Sequence, residues 1–147
     1  MYYGIITLLI AIDQGIKFVV ASRMRLGESI PVIEDFLHIT YIRNSGGAFG
    51  IMQGQTAILT LIPALLTIGF LVYIYKKRKS EKLPYLLSLS LIAAGGIGNL
   101  IDRIRFGEVV DFIDFRVFPI FNFADICVCC GCALLLYVML YEKPTSD

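Results

Sequence analysis

Charged side chains are scarce in this sequence, since they make up 17% of its 147 residues while hydrophobic residues make up 57%. A soluble globular domain is about a quarter charged and about half apolar. The mean hydropathy of +0.76 and the long apolar runs therefore exclude an ordinary soluble domain and indicate a membrane protein. The formal net charge is +1, which gives no support to a nucleic-acid partner.

Histidine is almost absent, because His38 is the only one, and cysteine is confined to a single short segment. Clustered cysteines can indicate a metal or redox site. In a helix, however, Cys127 and Cys130 would share one face. Cys129 and Cys132 would share another, so the four thiols would not converge on one ligand. We interpret them as small, polarisable packing residues of a membrane helix.

A positively charged segment is missing from the start of the chain, and no clear small-residue cleavage site follows the first apolar run. Residues 2–21 therefore predict a retained membrane span rather than a cleavable signal peptide. Further spans are predicted at 57–75, 84–101 and 123–141. Each run has about 18–21 residues, which at ~1.5 Å per residue is enough to cross a hydrocarbon core of ~30 Å.

The orientation in the membrane is predicted from basic residues between the second and third spans. Five of them lie close together there: Lys76, Lys77, Arg78, Lys79 and Lys82. By the positive-inside rule this connection is cytoplasmic, and both termini are then cytoplasmic too. A raw count is balanced, because six arginines on the other side equal these five plus Lys143. We follow the density of charge rather than the count.

Residues 22–56 and 102–122 would then lie on the extracytoplasmic side. Residues 36–43 alternate in polarity as a half-buried strand does, and residues 44–50 indicate a turn or a close backbone approach. A second strand-like stretch covers 109–118, just before a proline. We therefore predict a single domain over the whole chain: a membrane all-α fold, namely a four-transmembrane-helix bundle with a small β-rich extracytoplasmic cap.

Two aspartates stand among apolar residues where predicted spans meet the membrane surface. Asp111 lies in the strand-like stretch and Asp125 lies at the start of the fourth span. On one continuous helix their separation of 14 positions would be ~21 Å, too far for a catalytic pair. Pro119 argues against such a helix. A connection that folds back therefore permits, without requiring, a close pair of carboxyl groups, in which one holds a proton while the other is ionised.

Other polar residues lie within or beside the spans. Asp13 and Lys17, at helical spacing i, i+4, are expected to form an ion pair that ties the first helix to the bundle. Asn99 falls on a polar, small-residue face of the third span. Arg103 could hold a substrate carbonyl or carboxylate, or extend to water as an interfacial arginine. Asn122 could orient Asp125 or cap the fourth helix.

Five runs, taken in order, resemble the motifs of the lipoprotein signal peptidase (signal peptidase II) family. They are Asp13–Gln14 with Lys17, Asn44–Phe49, Gly95–Arg103, Gly107–Phe112 and Phe121–Asp125. The resemblance covers essentially the whole chain, and no motif position departs from the family pattern. The cysteine cluster is not part of that pattern.

The resemblance implies an aspartic endopeptidase of the bacterial cytoplasmic membrane. Such an enzyme cuts diacylglyceryl-modified prolipoproteins immediately before the lipidated cysteine, near the extracytoplasmic face. Asp111 and Asp125 match its catalytic pair. Further positions match residues that bind substrate or support the site: Asn44, Gly47, Asn99, Arg103, Asn122, Asp13 and Lys17. The expected partners are lipidated prolipoproteins and membrane lipids, with no metal, cofactor or nucleic acid, and the expected state is a monomer.

Two alternative functions are a transporter and a membrane scaffold. A proton- or ion-coupled transporter also places carboxylates within the membrane, but it requires charged residues along a path through the bundle. In this sequence only Asp13 and Lys17 lie deep, while the other charged residues gather at one face. A membrane scaffold with purely structural acids leaves the placement of Asp111 and Asp125 without a cause. The sequence therefore favours hydrolysis at the membrane surface.

Overall fold

The computed structural model describes residues 1–46 and 55–141. Each of its four long helices is apolar enough to cross a membrane. The helices are α1 (Tyr2–Arg23), α2 (Thr56–Lys77), α3 (Leu83–Phe106) and α4 (Phe123–Tyr141). Three strands form one antiparallel sheet in the order β1-β2-β3. The strands are β1 (Ser29–Ile33), β2 (Leu37–Asn44) and β3 (Val109–Asp114). The predicted fold class, a four-helix membrane bundle with a small β-rich cap, is confirmed.

Two elements end at places that the sequence pattern does not predict. Helix α3 continues to Phe106, beyond the predicted end of the third span at residue 101. The turn that contains Asp102 remains helical because Asp102 is buried against Lys17. The helix ends at Gly107, whose backbone is left-handed with φ 75. Strand β3 ends at Asp114, short of the predicted 118, and Arg116 beyond it also has a positive φ of 65.

Helix α3 is the centre of the bundle and contacts each of the other three helices. A Cβ atom at Gly95 would collide with the backbone oxygen of Ala124 and lie 2.7 Å from Cγ2 of Val128. Glycine at this position therefore lets the backbones of α3 and α4 touch. Gly131 does the same from the α4 side, where a Cβ would lie 2.7 Å from Cγ1 of Ile92. These contacts fix the depth and rotation of α4.

Two hydrophobic clusters hold the bundle and the sheet. The first joins α1, α2 and α3 at the end of the bundle that is remote from the sheet; its buried members are Ile6, Ile74, Leu86, Leu89, Ala93 and Ala94. The second packs Val20 of α1 against the sheet residues Tyr41, Val110 and Phe112. The sheet is thereby fixed over the end of the bundle at which α3 ends and α4 begins.

Candidate active site

Asn122 caps helix α4 and holds Asp125 in place. Its side-chain oxygen accepts the backbone N–H of Asp125 at 3.0 Å, and its own backbone N–H donates to Oδ2 of Asp125 at 3.0 Å. This reciprocal pair has the geometry of a capping box, which satisfies two donors that a helix start would otherwise leave unpaired. The sequence left open whether Asn122 caps the helix or orients the carboxylate, and the structure shows that it does both.

The same asparagine also contacts the other aspartate of the predicted pair. Nδ2 of Asn122 donates to Oδ1 of Asp111 at 2.7 Å, and Nδ2 of Asn44 donates to Oδ2 of Asp111 at 2.9 Å. Asn122 is fully buried and Asp111 is 2% exposed. One residue therefore bridges the carboxyl groups of β3 and α4, with its side chain on Asp111 and its backbone N–H on Asp125.

Both carboxyl groups line a cavity of about 930 Å³ between the sheet and helices α2, α3 and α4. Its polar wall includes Asn44, Asn99 and Arg103 in addition to the two aspartates. The remaining wall is mainly apolar and includes Leu66, Phe70, Ile92, Phe118, Ile120 and Phe121. A mostly apolar cavity with a few convergent polar groups is the usual form of a site for a lipid-like or small-molecule ligand.

The electrostatic environment of Asp111 favours its protonated form. Burial raises the pKa of Asp111 to about 6, and the negative charge of Asp125 acts in the same direction. Hydrogen bonds from Asn44 and Asn122, and the positive charge of Lys17, oppose this rise without cancelling it. A carboxyl group in such a place can hold a proton near neutral pH, which is required of a general acid.

Asn99 connects Asp125 to the charged interior of the bundle. Its Oδ1 accepts from Nζ of Lys17 at 2.9 Å and from Nδ2 of Asn122 at 3.0 Å. Because two donors occupy the oxygen, the amide of Asn99 is oriented with Nδ2 toward Asp125, to which it donates at 2.8 Å. Lys17 and Asn122 together therefore determine that Asp125 meets the amide nitrogen of Asn99.

Lys17 faces two carboxylates, not only the one predicted from helical spacing. Its Nζ lies 2.9 Å from Oδ2 of Asp13 and 3.1 Å from Oδ2 of Asp102. Gln14 donates to both acids, at 3.1 Å to Asp13 and 3.0 Å to Asp102. Asp13 also accepts the backbone N–H of Ala124, and Asp102 accepts that of Val110. This buried cluster therefore joins α1, α3, α4 and β3 around the cavity.

Arg103 lies at the wall of the cavity, and its Nη2 donates to the backbone oxygen of Gly46 at 3.2 Å. This contact keeps the guanidinium on the site rather than extended to water. The segment after β2 is thereby connected to α3. Gly47, which the family resemblance places in the site, lies outside the described residues.

The sequence analysis gave no separate role to Asp102 or Gln14, and it missed their contacts with Lys17 and Asp13. The spacing of Asp102 from Asn99 and Gly95 places it on the polar face of α3, but no local pattern identifies its partner on α1. The structure separates two other polar residues from the cavity. Asp114 accepts from Thr40 at 2.7 Å, and His38 contacts Ser29 at 3.1 Å within the sheet.

The cysteine cluster differs in part from its predicted packing role. Cys127 is buried, whereas Cys129, Cys130 and Cys132 are exposed, and all four thiols are free. Cys129 and Cys130 belong to the cavity wall. Over residues 1–46 and 55–141, no group of three or more His, Cys, Asp or Glu side chains is arranged to hold a metal ion.

Several known proteins are similar to this chain along its whole length. A lipoprotein signal peptidase of Halothermothrix orenii is 43% identical over 147 residues, with 100% of both chains covered. A lipoprotein signal peptidase of Halalkalibacterium halodurans is 40% identical, with 97% of this chain and 94% of the relative covered. A solved bacterial membrane enzyme has a TM-score of 0.86 at 36% identity and covers 99% of this chain and 93% of its own.

A family model described as signal peptidase (SPase) II matches residues 5–141. This match runs from the first turn of α1 to the end of α4, and the relatives agree with it in name and in length. The chain therefore belongs to the signal peptidase II family, a family of peptidases, and is a multi-pass bacterial membrane protein.

Proposed function

We propose that this protein is an aspartic endopeptidase that removes signal peptides from diacylglyceryl-modified prolipoproteins, cleaving before the lipidated cysteine. The observation that carries the proposal is the double contact of Asn122 with Asp111 and Asp125 at the wall of one cavity. Two neighbouring carboxyl groups, one to donate a proton and one to accept a proton, are sufficient for acid/base hydrolysis of a peptide bond. The relatives named lipoprotein signal peptidase support the choice of substrate.

The two aspartates have different roles in the proposed mechanism. Asp125, which accepts from Asn99 and from the backbone of Asn122, is the ionised base and takes a proton from a water molecule. The water oxygen attacks the scissile carbonyl carbon. Asp111, whose pKa is raised to about 6, donates its proton to the carbonyl oxygen. When the tetrahedral intermediate collapses, the carbon–nitrogen bond breaks, the amine leaves with the proton that Asp125 took, and one hydroxyl of the intermediate returns a proton to Asp111 as the new carboxyl group forms.

The form of the cavity supports a lipid-bearing substrate. Its deeper wall is apolar, with Leu66 and Phe70 from α2 opposite residues of α4, whereas the carboxyl groups lie at the end near the sheet. Acyl chains can therefore remain between the helices while the peptide reaches Asp111 and Asp125. Because the acyl chains come from the hydrocarbon of the bilayer rather than from water, their binding is favoured by packing against this wall and not by the hydrophobic effect.

The interior of the bundle does not favour the transporter alternative. A transporter needs polar groups that continue from one membrane surface to the other. Here the cluster around Lys17 connects to the cavity. In the described part of the bundle, the opposite end is filled by hydrophobic side chains that include Ile6, Ile74 and Leu86. A flux assay in vesicles distinguishes the two functions.

We further propose that the site faces the extracytoplasmic side, with both termini in the cytoplasm. The basic connection between α2 and α3 lies at the end of the bundle opposite the sheet, and the positive-inside rule places it in the cytoplasm. Among the described residues, one chain supplies the side chains that contact the two carboxyl groups, namely Asn44, Asn99 and Asn122. We therefore propose a single-domain enzyme that acts as a monomer within membrane lipids.

The direct test is cleavage of a defined substrate by the purified full-length protein in a lipid bilayer. We expect release of the signal peptide from a diacylglyceryl-modified prolipoprotein, with the new N-terminus at the lipidated cysteine. The matched control is the same prolipoprotein without the lipid, for which we expect far slower cleavage because the apolar cavity wall would stay unoccupied. Equal turnover of both substrates would contradict the proposed role of the lipid, and no turnover of either would refute the proposed function.

The pH dependence of cleavage is expected to follow Asp111. Below about pH 6 this group holds its proton, and above about pH 6 it loses it, so kcat/KM should fall as pH rises through that range. Asn44 donates to the charged form of Asp111 and thereby lowers its pKa. In Asn44→Ala the pKa should rise further, and the falling limb of the profile should move to higher pH while the maximum rate decreases.

The control for this profile is Thr40→Val, which removes a hydrogen bond from Asp114 on the same sheet but none from Asp111. Its falling limb should coincide with that of the wild type. A limb that moves to lower pH in Asn44→Ala, or that moves equally in both variants, would contradict the assignment of the limb to Asp111.

A further inference from the structure

The thiols of Cys129 and Cys130 lie on the wall of the cavity that also contains both candidate catalytic aspartates. Cys129 follows Asp125 by four residues on α4, so its side chain projects from the same helix face. The distance along the helix axis between these positions is about 6 Å. The first of the two thiols is therefore only one helical turn deeper in the cavity than the proposed catalytic base.

The direction of these thiols is fixed by the packing of α4 against α3. Gly131 is the next residue after Cys130, and a Cβ there would lie 2.8 Å from the backbone oxygen of Ser88. Gly95 lies about two helical turns nearer the sheet than Ser88. It brings the helices at least as close, since a Cβ there would collide with the backbone oxygen of Ala124. Because the helices touch at both places, α4 cannot rotate to carry Cys129 and Cys130 away from the cavity without separating the two backbones.

We propose that Cys129 and Cys130 form a covalent-modification site for apolar, thiol-reactive compounds, and that modification there blocks the active-site cavity. This proposal rests on the proposed function only where its test measures peptidase activity. The ligand class is an uncharged α,β-unsaturated carbonyl compound with an alkyl tail. The reactive end meets the thiols, and the tail lies along the apolar wall formed by Leu66, Phe70 and Ile92.

The chemistry is a conjugate addition that needs no oxidant, reductant or leaving group. The cysteine sulfur forms a bond to the β-carbon, the carbon–carbon double bond opens, and the α-carbon takes up the proton that the thiol loses. The thiolate is the attacking species, so labelling should accelerate with rising pH. The product occupies space in a cavity that the proposed substrate must enter.

Cys132 provides a matched comparison on the same helix. It is exposed, as Cys129 and Cys130 are, but it does not belong to the cavity wall. An apolar reagent dissolved in the bilayer should therefore modify Cys132 as well, without filling the cavity. The proposed site therefore predicts that modification of Cys129 or Cys130 reduces activity, whereas modification of Cys132 to the same extent does not.

The activity test treats the full-length enzyme in a bilayer with N-dodecylmaleimide and locates the adducts by peptide mass spectrometry. Each variant is compared with its own untreated sample. Wild type and Cys132→Ala should lose activity by about tenfold or more, since the alkyl tail of the adduct would cover the apolar wall on which the acyl chains of the substrate are proposed to lie. The double variant C129A/C130A should keep most of its own activity. Equal losses in all three, or full activity of wild type modified at both positions, would overturn the proposal.

A cross-linking test determines whether Cys129 faces the cavity, without measuring peptidase activity. In a C127A/C130A/C132A background, only Cys129 remains, and a second cysteine is introduced on α2 at Leu66, which lines the cavity. A bis-maleimide should join Cys129 to the cysteine of Leu66→Cys but not to that of Leu61→Cys, which is exposed outside the cavity. Failure to cross-link in Leu66→Cys, or equal cross-linking in both, would overturn the site. An untreated wild type that cleaves nothing would instead refute the proposed function.

Discussion

Replacing either Asp111 or Asp125 with asparagine is expected to abolish cleavage of the lipidated prolipoprotein. The asparagine side chain has the same size, but it can neither take a proton from water nor donate an acidic proton to the carbonyl oxygen. Loss of one general acid or base costs about 10²- to 10⁴-fold in rate. Because the two groups act as one unit, the double variant D111N/D125N should be no slower than the single variants. Rates are measured as signal-peptide release at saturating substrate.

The matched control is Asp114→Asn, since Asp114 is a buried aspartate on the same strand as Asp111. Burial opposes its ionisation, but hydrogen bonds from Thr40 and Arg116 outweigh this and lower the pKa of Asp114. These contacts lie away from the cavity, so we expect Asp114→Asn to lose stability while retaining cleavage within a few-fold. Each variant is also tested by thermal unfolding in detergent. Normal turnover in folded Asp111→Asn or Asp125→Asn would refute the proposed mechanism.

The four spans could be predicted because the free energy of membrane insertion depends on composition over about 20 residues, and the sequence contains that composition directly. The end of α3 could not be predicted in this way. Asp102 and Arg103 indicate the end of an apolar run, but the helix continues to Phe106 because Lys17, on a different helix, neutralises Asp102. A charge that is paired across the bundle has no local signature.

The relation between Asp111 and Asp125 was only partly predictable for the same reason. Chain order and Pro119 permitted their approach, and the family motifs assigned them a role that remains a prediction. The structure adds Asn122 as the residue that contacts both carboxyl groups. A sequence pattern can identify an asparagine three residues before an aspartate as a helix cap, but it does not reveal which strand lies beside the cap.

The placement of the cysteines could not be predicted because it depends on the rotation of a helix. Spacing paired Cys127 with Cys130 and Cys129 with Cys132, a pairing that the structure does not show. It could not distinguish the lipid-facing side of α4 from the side that faces the cavity. That distinction depends on the rotation of α4, which Gly95 and Gly131 set through contacts with the neighbouring helix. Cys127 is buried as a packing residue should be, whereas Cys129 and Cys130 face the same cavity as Asp125.

Lys17→Met is expected to have the largest effect on stability. Lys17 is 3% exposed and is the shared cation of Asp13 and Asp102, so its removal leaves two buried carboxylates without a counter-charge. Breaking a buried ion pair by removing one partner costs about 3–5 kcal/mol. Asn99 would also lose one of the two donors that orient it toward Asp125. We therefore expect a lower unfolding temperature in detergent and, in the protein that remains folded, a reduced kcat.

The double variant K17M/D13N separates the effect of charge from that of packing. Removing one lysine and one aspartate restores the net charge of the cluster, and asparagine retains an oxygen that can accept the backbone N–H of Ala124. We expect the double variant to be more stable than Lys17→Met alone, which gives a favourable coupling energy in a double-mutant cycle. Lys79→Met, at an exposed position after α2, serves as the control and should unfold as the wild type does. If Lys17→Met unfolds at the same temperature as Lys79→Met, the buried cluster does not hold α1, α3 and α4 together.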